Sequence, residues 1–383
     1  AGLWNKKAKN GSISEYDASS DKFLFKGAEN GLAVDQDQLK ADILAALSCK
    51  DFTATIAATV NEVEPEFSEA VAREKYKTIG TFTTNTTSNQ KRNTNIKLAT
   101  QAINGIVLQP GEEFSFNNRV GERTEAKGYQ GAAAYNNGEV VQEIGGGVCQ
   151  VSSTLYQVAF RSGMNITYRR SHTFEPNYVT PGQDAAISWD IPDFRFINTS
   201  SSAIGIKASY SNQTVTVSIY GVPVLEDGVT YSLEATKTET FDLPEPQYEE
   251  DQTLQPGQEV VKSKGTQGSR WQVKLVVKKD GQVISSEVDH TATYKGHNPV
   301  IRRNTSGVVI GGETESAAES TSQTTETTAA AETTEGEVGP GVVPTTAPAA
   351  PATTAAETPV SEPAVNPDHQ SAADGIVAPK PAD

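Results

Sequence analysis

The stretch Gly145-Gly146-Gly147-Val148-Cys149-Gln150-Val151-Ser152-Ser153-Thr154-Leu155-Tyr156 combines a glycine run, a cysteine and the start of an apolar repeat. The repeat has helical spacing and predicts a helix over 151–160. The residues expected to face inward are Val151, Leu155, Val158 and Ala159. The glycines can take positive φ and let the backbone pass close to a ligand. Cys149 therefore stands at the N-terminus of the predicted helix.

The position of Cys149 favours its ionised form. Unpaired N–H groups and the macrodipole at a helix N-terminus stabilise negative charge. A thiol with a pKa of about 8.5 is about 3% ionised at pH 7, whereas a pKa of about 6 makes it about 90% ionised. The same N–H groups can hold the oxyanion that forms when a thiolate attacks a carbonyl. We therefore predict that Cys149 is a nucleophile. The neighbours predicted to bind substrate are Gly146, Gly147, Gln150 and Ser152.

A nucleophilic cysteine needs a base, and the sequence contains four histidines. Three of them lie in the tail or in the last folded module, namely His290, His297 and His369. The fourth, His172, lies in a predicted strand over 166–174, so a helix-to-strand return can bring imidazole and thiol together. A Cys before a His, with Asp184 or a backbone carbonyl orienting the ring, fits covalent acyl-transfer chemistry. The predicted catalytic residues are Cys149, His172 and Asp184.

Two arginines close to His172 can bind a substrate carboxylate. Arg169 and Arg170 are neighbours in the predicted strand, so their side chains point to opposite faces. Only Arg170 then shares the face of His172, and a guanidinium matches a carboxylate in shape and charge. We predict that Arg170 binds substrate and that Arg169 faces solvent.

Other interpretations of these residues stay open. Cys149 can pair with Cys49 in a disulfide, as two cysteines in an exported chain invite. His172 can be a packed or surface histidine, and Asp184 can be a turn residue after Pro181-Gly182. Two distant cysteines and scattered histidines do not have the spacing of zinc ligands, so we expect neither a metal nor a cofactor.

Composition limits the class of protein. The chain has 383 residues, 48 acidic against 32 basic, and a formal net charge of -16. Because residues 305–383 contain twelve acidic residues and one lysine, about -11 of that charge lies in this tail and about -5 in the rest. Neither part has the Lys/Arg surplus that neutralises phosphates, which excludes a nucleic-acid binder. No run of about 18 apolar residues predicts a membrane span.

The length allows two or three domains, and the pattern predicts an α+β multidomain protein. Residues 1–77 predict a small α+β domain, with strands at 22–25 and 52–63 and a helix at 37–47 that Asp35 or Asp37 caps. The apolar stripe of that helix is Leu39, Ile43, Leu44 and Leu47.

Residues 78–222 predict an α+β domain with antiparallel strands. Its first helix spans 95–106, and its second is the cysteine-bearing helix. The predicted strands are 114–116, 166–174, 185–189, 194–197, 203–210 and 214–220.

The rest of the chain predicts an all-β module and a tail. Residues 223–304 contain strand and turn patterns only, with a hairpin turn at Asp280-Gly281. Residues 305–383 lack aromatic residues, Cys and Met, and are predicted to be a disordered acidic spacer or a glycosylated stalk. The chain begins Ala1-Gly2-Leu3 without Met, and we expect a processed or truncated ectodomain whose signal or anchor was removed.

Several ordered motifs together resemble the VanW domain, a family named from vancomycin-resistance clusters. The resemblance covers about residues 78–221. Its motifs are Phe114-Ser115-Phe116-Asn117, Val120-Gly121-Glu122-Arg123-Thr124, Gly128-Tyr129, the Gly145 to Tyr156 block, Arg170-Ser171-His172 and Gly182-Gln183-Asp184-Ala185. Residues 1–77 are similar to the peptidoglycan-binding domain often found before VanW domains. Residues 231–300 resemble the five-glycine surface module that commonly follows them and is associated with binding of wall sugars.

The resemblance implies a function. VanW proteins are understood to include cysteine L,D-transpeptidases of peptidoglycan, which makes Cys149 the nucleophile and suggests His172 as the base, while the third member is not settled. Cys149 would attack the carbonyl between residue three and the terminal D-residue of a donor stem peptide and form an acyl-enzyme. An amine of a neighbouring stem would then complete a 3-3 cross-link, and water would complete a carboxypeptidase reaction.

Two other functions stay open, a non-catalytic wall-binding or adhesion protein and a cysteine endopeptidase or amidase of the same polymer. The expected partners are peptidoglycan stem peptides and glycan, and neither nucleic acid nor metal. The expected location is extracellular and associated with the cell wall of Gram-positive-type bacteria.

Overall fold

The computed structural model describes residues 4–136 and 139–310, and side chains are described outside 134–141. Most of the predicted disordered tail, with His369, lies outside these residues. Residues 305–310 do not fit that prediction, because Thr305 and Ser306 hydrogen-bond to Glu250 and Ile310 N donates to Gln252 O over 2.8 Å. Within the described ranges no helix is both long and apolar enough to cross a bilayer.

The first unit is built from short strands and two helices. Its elements are β1 Ser12–Asp17, β2 Lys22–Lys26, β3 Gly31–Val34, α1 Gln36–Ser48, β4 Val60–Val63 and α2 Glu69–Lys75. Asp35 caps α1 as predicted, since its carboxylate accepts from Gln38 N over 2.9 Å. Strands β1 and β2 form one antiparallel pair, and β3 and β4 form another.

One prediction for this unit is wrong, and its first helix is uncovered. The apolar stripe of α1 is not buried by another element, because Leu44 is 55% exposed and no residue of α1 is buried. Helical spacing determines which side chains share a face but not whether another element covers that face. The predicted strand over 52–63 shrinks to β4, because only these residues find a partner, in β3, and Phe52 is 79% exposed.

In its described residues the central unit contains three α-helices, two larger sheets and the antiparallel pair β8-β9. Its elements are β5 Lys77–Asn85, α3 Gln90–Ile103, β6 Val107–Leu108, β7 Glu113–Ser115, α4 Phe116–Val120, a 3₁₀ turn Glu125–Lys127, β8 Gly131–Asn136, β9 Glu139–Ile144, α5 Cys149–Arg161, β10 Asn165–Tyr168, β11 Arg195–Ile197, β12 Ile204–Ser211 and β13 Thr214–Gly221. The larger sheet is antiparallel, in the order β5-β13-β12-β6, and the smaller has the order β10-β11-β7. The hairpin β12–β13 is confirmed, with Ser211 opposite Thr214.

Helix α5 lies at the centre of this unit. Every residue from Gln150 to Phe160 is buried, so the predicted inward residues are confirmed but the helix is covered on all sides. A helix buried all round needs internal partners for its polar side chains. Thr154 finds one across the core, since its Oγ1 lies 2.9 Å from Thr84 Oγ1 of β5.

Several predicted boundaries are wrong for local reasons. Helix α3 begins at Gln90, capped by Asn89, and ends at Ile103, because Gly105 takes a φ of 81° and 107–108 pairs with β12. The strand predicted over 166–174 ends at Tyr168. The strand predicted over 185–189 does not form, because Ala185 O accepts from the hydroxyls of Ser152 and Ser153 of α5 rather than from another strand. Phe116 starts α4 instead of continuing a strand.

The third unit is all-β, as predicted. Its elements are β14 Val229–Thr240, β15 Gln247–Glu250, β16 Glu259–Ser263, β17 Ser269–Lys279, β18 Gln282–Tyr294 and β19 Val300–Arg303. The turn Asp280-Gly281 joins β17 to β18 with φ values of 49° and 82°, so the predicted hairpin is confirmed. The sheet β14-β17-β18 packs on the central unit, and Leu233 and Val273 belong to the same hydrophobic core as α5.

The burial of α5 predicts a large difference between two leucines. Leu155→Ala in α5 should lower the free energy of unfolding by about 2–5 kcal/mol, because it leaves a cavity in a packed core. Leu44→Ala in α1 is the matched control and should change it by less than about 0.5 kcal/mol, since Leu44 is exposed. Urea denaturation followed by circular dichroism measures both, and equal losses would contradict the described packing.

Candidate active site

Cys149 is the first residue of α5, as the sequence predicts. Val148 is the N-cap residue and provides no side-chain cap. The Cys149 sulfur lies 3.3 Å from Ile187 O. Both Cys149 and Cys49 are free, and Cys49 is exposed at the end of α1, so the disulfide alternative is wrong.

The glycines before Cys149 are required by the backbone conformation of the turn and by its close contacts with other parts of the same protein. Gly145 and Gly147 have φ values of 87° and 99°, in the region that only glycine adopts readily. A Cβ on Gly146 would lie 2.4 Å from Ala132 O, and one on Gly147 would lie 2.6 Å from Arg92 Cγ. The close approach is therefore to the protein's own backbone and to Arg92. A substrate-binding role for Gly146 and Gly147 stays a prediction.

The helix N–H groups are partly used inside the turn. Gln150 N donates to Gly147 O over 3.0 Å and Val151 N donates to Val148 O over 2.9 Å. These two groups are therefore already satisfied, which weakens the expectation that they hold an oxyanion.

His172 and Asp184 form a hydrogen-bonded pair. The ring Nδ1 lies 2.5 Å from Asp184 Oδ2, and His172 N donates to the same oxygen over 2.6 Å. The Asp184 carboxylate is fully buried, so this residue is more than a turn residue. Because Nδ1 faces the carboxylate, Nε2 is the nitrogen left to serve the thiol. Tyr178 Oη lies 3.4 Å from Nε2 and borders that side of the ring.

His172 does not reach this position through a strand. Strand β10 ends at Tyr168, and residues 169–187 run without helix or strand between α5 and the third unit. The prediction that a strand carries His172 back to the helix is therefore wrong. The imidazole and the thiol nevertheless interact, as the prediction required. This segment is fixed instead by hydrogen bonds to its neighbours.

The charges of the site reinforce one another. Burial opposes ionisation of Cys149, but the hydrogen bond and charge of His172, the Ile187 backbone and Arg123 together lower the pKa of the thiol. Burial also opposes protonation of His172, yet Asp184 and Cys149 raise the pKa of the imidazole to about 10. Burial raises the pKa of the Asp184 carboxyl, but the hydrogen bond and charge of His172 outweigh this effect and lower that pKa to about 2. The lowered pKa of the thiol and the raised pKa of the imidazole both favour a thiolate–imidazolium pair.

Two predicted substrate ligands are structural. The Gln150 amide is fully buried: its oxygen accepts from Arg92 over 2.7 Å, and its nitrogen donates to Thr84 Oγ1 and Asn85 O, both over 2.9 Å. Ser152 is also fully buried and donates to Ala185 O over 2.7 Å. Both side chains hold α5 in place, and their burial argues against direct contact with a substrate, so a substrate-binding role for Gln150 and Ser152 stays a prediction. Each polar residue on a buried helix must find an internal partner.

The structure places Arg169 differently from the prediction and leaves the role of Arg170 open. Because β10 ends before them, strand alternation does not apply to either residue. Arg170 is exposed, and its substrate role stays a prediction. Arg169 does not face solvent freely: its Nη1 donates to Asp184 O over 2.6 Å, and its guanidinium lies 5.3 Å from the Tyr156 ring centroid.

Sequence reasoning missed three residues near the reacting groups. Arg123 acts on the Cys149 thiol through its charge and donates to Asn117 Oδ1 over 3.0 Å. Tyr178 borders the His172 ring, and Tyr294 of β18 donates to Asp184 Oδ1 over 2.6 Å. Arg123 lies inside the motif Val120-Gly121-Glu122-Arg123-Thr124, which was a usable signal. Nothing in the local pattern marked the two tyrosines.

The arrangement is suited to nucleophilic chemistry at a carbonyl. It combines a thiol whose pKa is lowered, an imidazole whose pKa is raised and a buried carboxylate that orients the ring. Among residues 4–136 and 139–310, no three His, Cys, Asp or Glu side chains are grouped to hold a metal ion.

Comparison with family models identifies two domains. Residues 91–220 match the model described as VanW like protein, and residues 233–306 match the G5 domain. The resemblances to these two families are therefore confirmed. The first domain contains Cys149, His172 and Asp184, and the second contains Tyr294.

Two curated relatives share part of the chain. An uncharacterized protein of Bacillus subtilis (strain 168), YoaR, is 42% identical over 159 residues, which are 41% of this chain and 52% of that protein. The vancomycin B-type resistance protein VanW of Enterococcus faecalis (strain ATCC 700802 / V583) is 35% identical over 99 residues, 24% of this chain and 36% of that protein. The matched part of this chain thus spans about half of YoaR and about a third of the resistance protein.

A solved structure of an IgA1 protease G5 domain aligns with 20% of this chain and 89% of its own length. The sequence identity is 21% and the TM-score is 0.15.

The charge pairing predicts a distinctive pH dependence of thiol alkylation. Because the pKa of Cys149 is lowered, its rate of alkylation by iodoacetamide should stay high below pH 8.5, which is about the pKa of an ordinary thiol. The rate should fall only at lower pH. In His172→Gln the partner is lost while burial of the thiol persists, so the midpoint should move to about pH 8.5 or above.

Mass spectrometry of the Cys149 peptide across pH 4–10 gives the midpoint, and the exposed Cys49 of the same chain serves as the internal reference. An identical midpoint in the wild type and the variant would contradict the ion pair.

Proposed function

Since the chain carries a VanW-like domain followed by a G5 domain, we propose that it is a cell-wall protein and acts as a cysteine L,D-transpeptidase on peptidoglycan stem peptides. The observation that carries the catalytic part is the Cys149, His172 and Asp184 group, with Nδ1 of the imidazole 2.5 Å from the buried carboxylate. A thiolate–imidazolium pair is the starting state of cysteine acyl transfer. The proposed location is outside the cell, in the wall.

The first half of the proposed reaction forms an acyl-enzyme. The Cys149 thiolate attacks the carbonyl of stem residue three, and the C–N bond to the terminal D-residue breaks as His172 Nε2 transfers its proton to the leaving amine. The products are a thioester on Cys149, a free D-amino acid and a neutral imidazole. Asp184 keeps Nδ1 protonated and Nε2 directed at the reacting atoms.

The second half resolves the thioester. The neutral His172 accepts a proton from the amine of a neighbouring stem as that amine attacks the thioester carbonyl. The C–S bond breaks, the 3-3 cross-link forms, and thiolate and imidazolium are restored. Water in place of the amine gives a trimmed tripeptide, which is the carboxypeptidase outcome.

Arg123 is our candidate for binding the donor carboxylate. The guanidinium contributes to the lowered pKa of Cys149, which indicates that its charge lies near the sulfur. Its Nη1 is fixed by Asn117 Oδ1 over 3.0 Å and by Gly121 O over 3.1 Å. The leaving D-residue carries the terminal carboxylate, so a fixed positive charge near the nucleophile suits this donor.

The G5 domain is proposed to bind wall glycan or peptidoglycan and so retain the enzyme on its polymer. A non-catalytic binding protein and an endopeptidase are the alternatives. The products formed from tetrapeptide muropeptides distinguish all three.

Purified protein incubated with tetrapeptide muropeptides under reducing conditions should release the terminal D-amino acid and form 3-3 dimer or tripeptide. Cys149→Ala should lower the rate by about 1,000-fold or more, because no other group replaces the nucleophile. Cys49→Ala is the control and should keep wild-type activity. Mass spectrometry resolves the products; cleavage of existing cross-links alone would favour the endopeptidase, and absence of all products would favour the binding protein.

Arg123→Gln should raise KM for a tetrapeptide donor with a free terminal carboxylate by about tenfold or more, because a charged hydrogen bond contributes about 1.5–3 kcal/mol. The same donor with an amidated terminus should show little change between wild type and variant. Arg170→Gln, the rival carboxylate ligand, and Arg119→Gln, an exposed arginine paired with Glu112 at 3.1 Å, are the comparisons. If Arg170→Gln alone shows the carboxylate-dependent loss, the assignment of Arg123 is wrong.

A further inference from the structure

The segment that carries His172 and Asp184 has no regular secondary structure of its own. Residues 169–187 therefore depend on contacts outside regular secondary structure for their conformation, both between backbone groups and through side chains. Part of the support comes from the central unit, where Gln157 Nε2 of α5 donates to Gln183 O over 2.7 Å. The remaining contacts come from the sheet β14-β17-β18 of the G5 domain.

Tyr294 at the end of β18 contacts both sides of the Asp184 turn. Its ring is fully buried, and its hydroxyl donates to Asp184 Oδ1 over 2.6 Å while accepting from Gly182 N. The other carboxylate oxygen, Oδ2, binds His172. One carboxylate thus joins a tyrosine of the G5 domain to the imidazole.

His290, four residues before Tyr294 on β18, contacts the same turn. Its Nε2 lies 2.8 Å from Gly182 O, and its Nδ1 lies 2.6 Å from Asp289 Oδ2. Gln183 Nε2 also donates to Leu233 O of β14 over 2.9 Å. The approach is close because Gly182 lacks a side chain: a Cβ there would lie 2.4 Å from Val273 Cγ2.

The G5 domain also fixes the residues directly after His172. Lys295 N donates to Thr173 O over 2.8 Å. Trp271 Nε1 donates to Glu175 Oε1 over 2.9 Å, and Lys237 Nζ lies 3.6 Å from the same oxygen. The segment after His172 is therefore attached to the G5 domain at two points, Thr173 and Gly182.

We propose that the G5 domain is part of the catalytic apparatus, with Tyr294 as the positioning residue that fixes the Asp184 carboxylate and, through it, the His172 ring. The role of these residues in transpeptidation rests on the proposed function, whereas the positioning of His172 beside Cys149 does not. Without the tyrosine hydroxyl, a buried carboxylate oxygen and Gly182 N–H both lose their partner, and the segment loses its firmest attachment. A binding module thereby also orders the active site.

The test is Tyr294→Phe in the full chain, which removes one oxygen and keeps the buried ring. We expect the alkylation midpoint of Cys149 to move up toward pH 8.5, since the thiol loses a well-placed imidazolium. For a tetrapeptide donor, kcat should fall about 10- to 100-fold with KM unchanged, because the misplaced group acts on the reaction rather than on binding. Tyr248→Phe, an exposed tyrosine of the same domain, is the matched control and should behave as wild type.

His290→Gln provides a second, independent variant if Tyr294→Phe fails to fold, as judged by thermal melting. It should move the alkylation midpoint in the same direction, because it removes the other attachment of Gly182. Wild-type midpoint and kcat in a folded variant would overturn the proposal, even if the melting temperature falls. Alkylation needs no substrate, so a shifted midpoint in a chain without transpeptidase activity would support the positioning role and reject the proposed reaction.

Discussion

A buried carboxylate organises the candidate active site. Asp184 has no exposure to solvent, so its charge is stable only if hydrogen-bond donors replace the lost water. The donors are His172 N, His172 Nδ1 and Tyr294 Oη. Each of these bonds fixes a different part of the molecule: the backbone of the irregular segment, the imidazole and the G5 sheet. The ion pair of Cys149 and His172 follows from this arrangement.

Helix α5 supplies the other half of the site and explains the residues around it. A helix buried on all sides cannot shift without breaking the hydrogen bonds of its side chains to the surrounding core. The backbone position of Cys149 at the start of α5 is therefore fixed. Gln150 and Ser152 serve this purpose, and the glycine run lets the chain enter the core past Ala132 and Arg92. Residues that look like substrate ligands in the sequence thus turn out to hold the nucleophile in place.

The two domains have one continuous core in this chain. Leu233 and Val273 of the G5 domain pack in the same cluster as Leu155 of α5, and Gly182 touches the sheet closely enough to exclude a side chain. A wall-binding module attached by a flexible linker would not need such contacts. The interlocked arrangement suits the proposed function, in which polymer binding and chemistry would occur at one place.

Much of the fold and part of the site could be predicted from local patterns. Helical spacing after a glycine run located α5 and Cys149, the Asp280-Gly281 turn located a hairpin, and elimination among four histidines led to His172. These features depend on neighbours in the chain, which a sequence records directly. Burial, and contacts between residues far apart in the sequence, do not depend on chain neighbours and are not recorded in this direct way. Only the tertiary structure decided that the α1 stripe is exposed, that Gln150 binds Arg92, and that Tyr294, 110 residues beyond Asp184, completes its carboxylate shell.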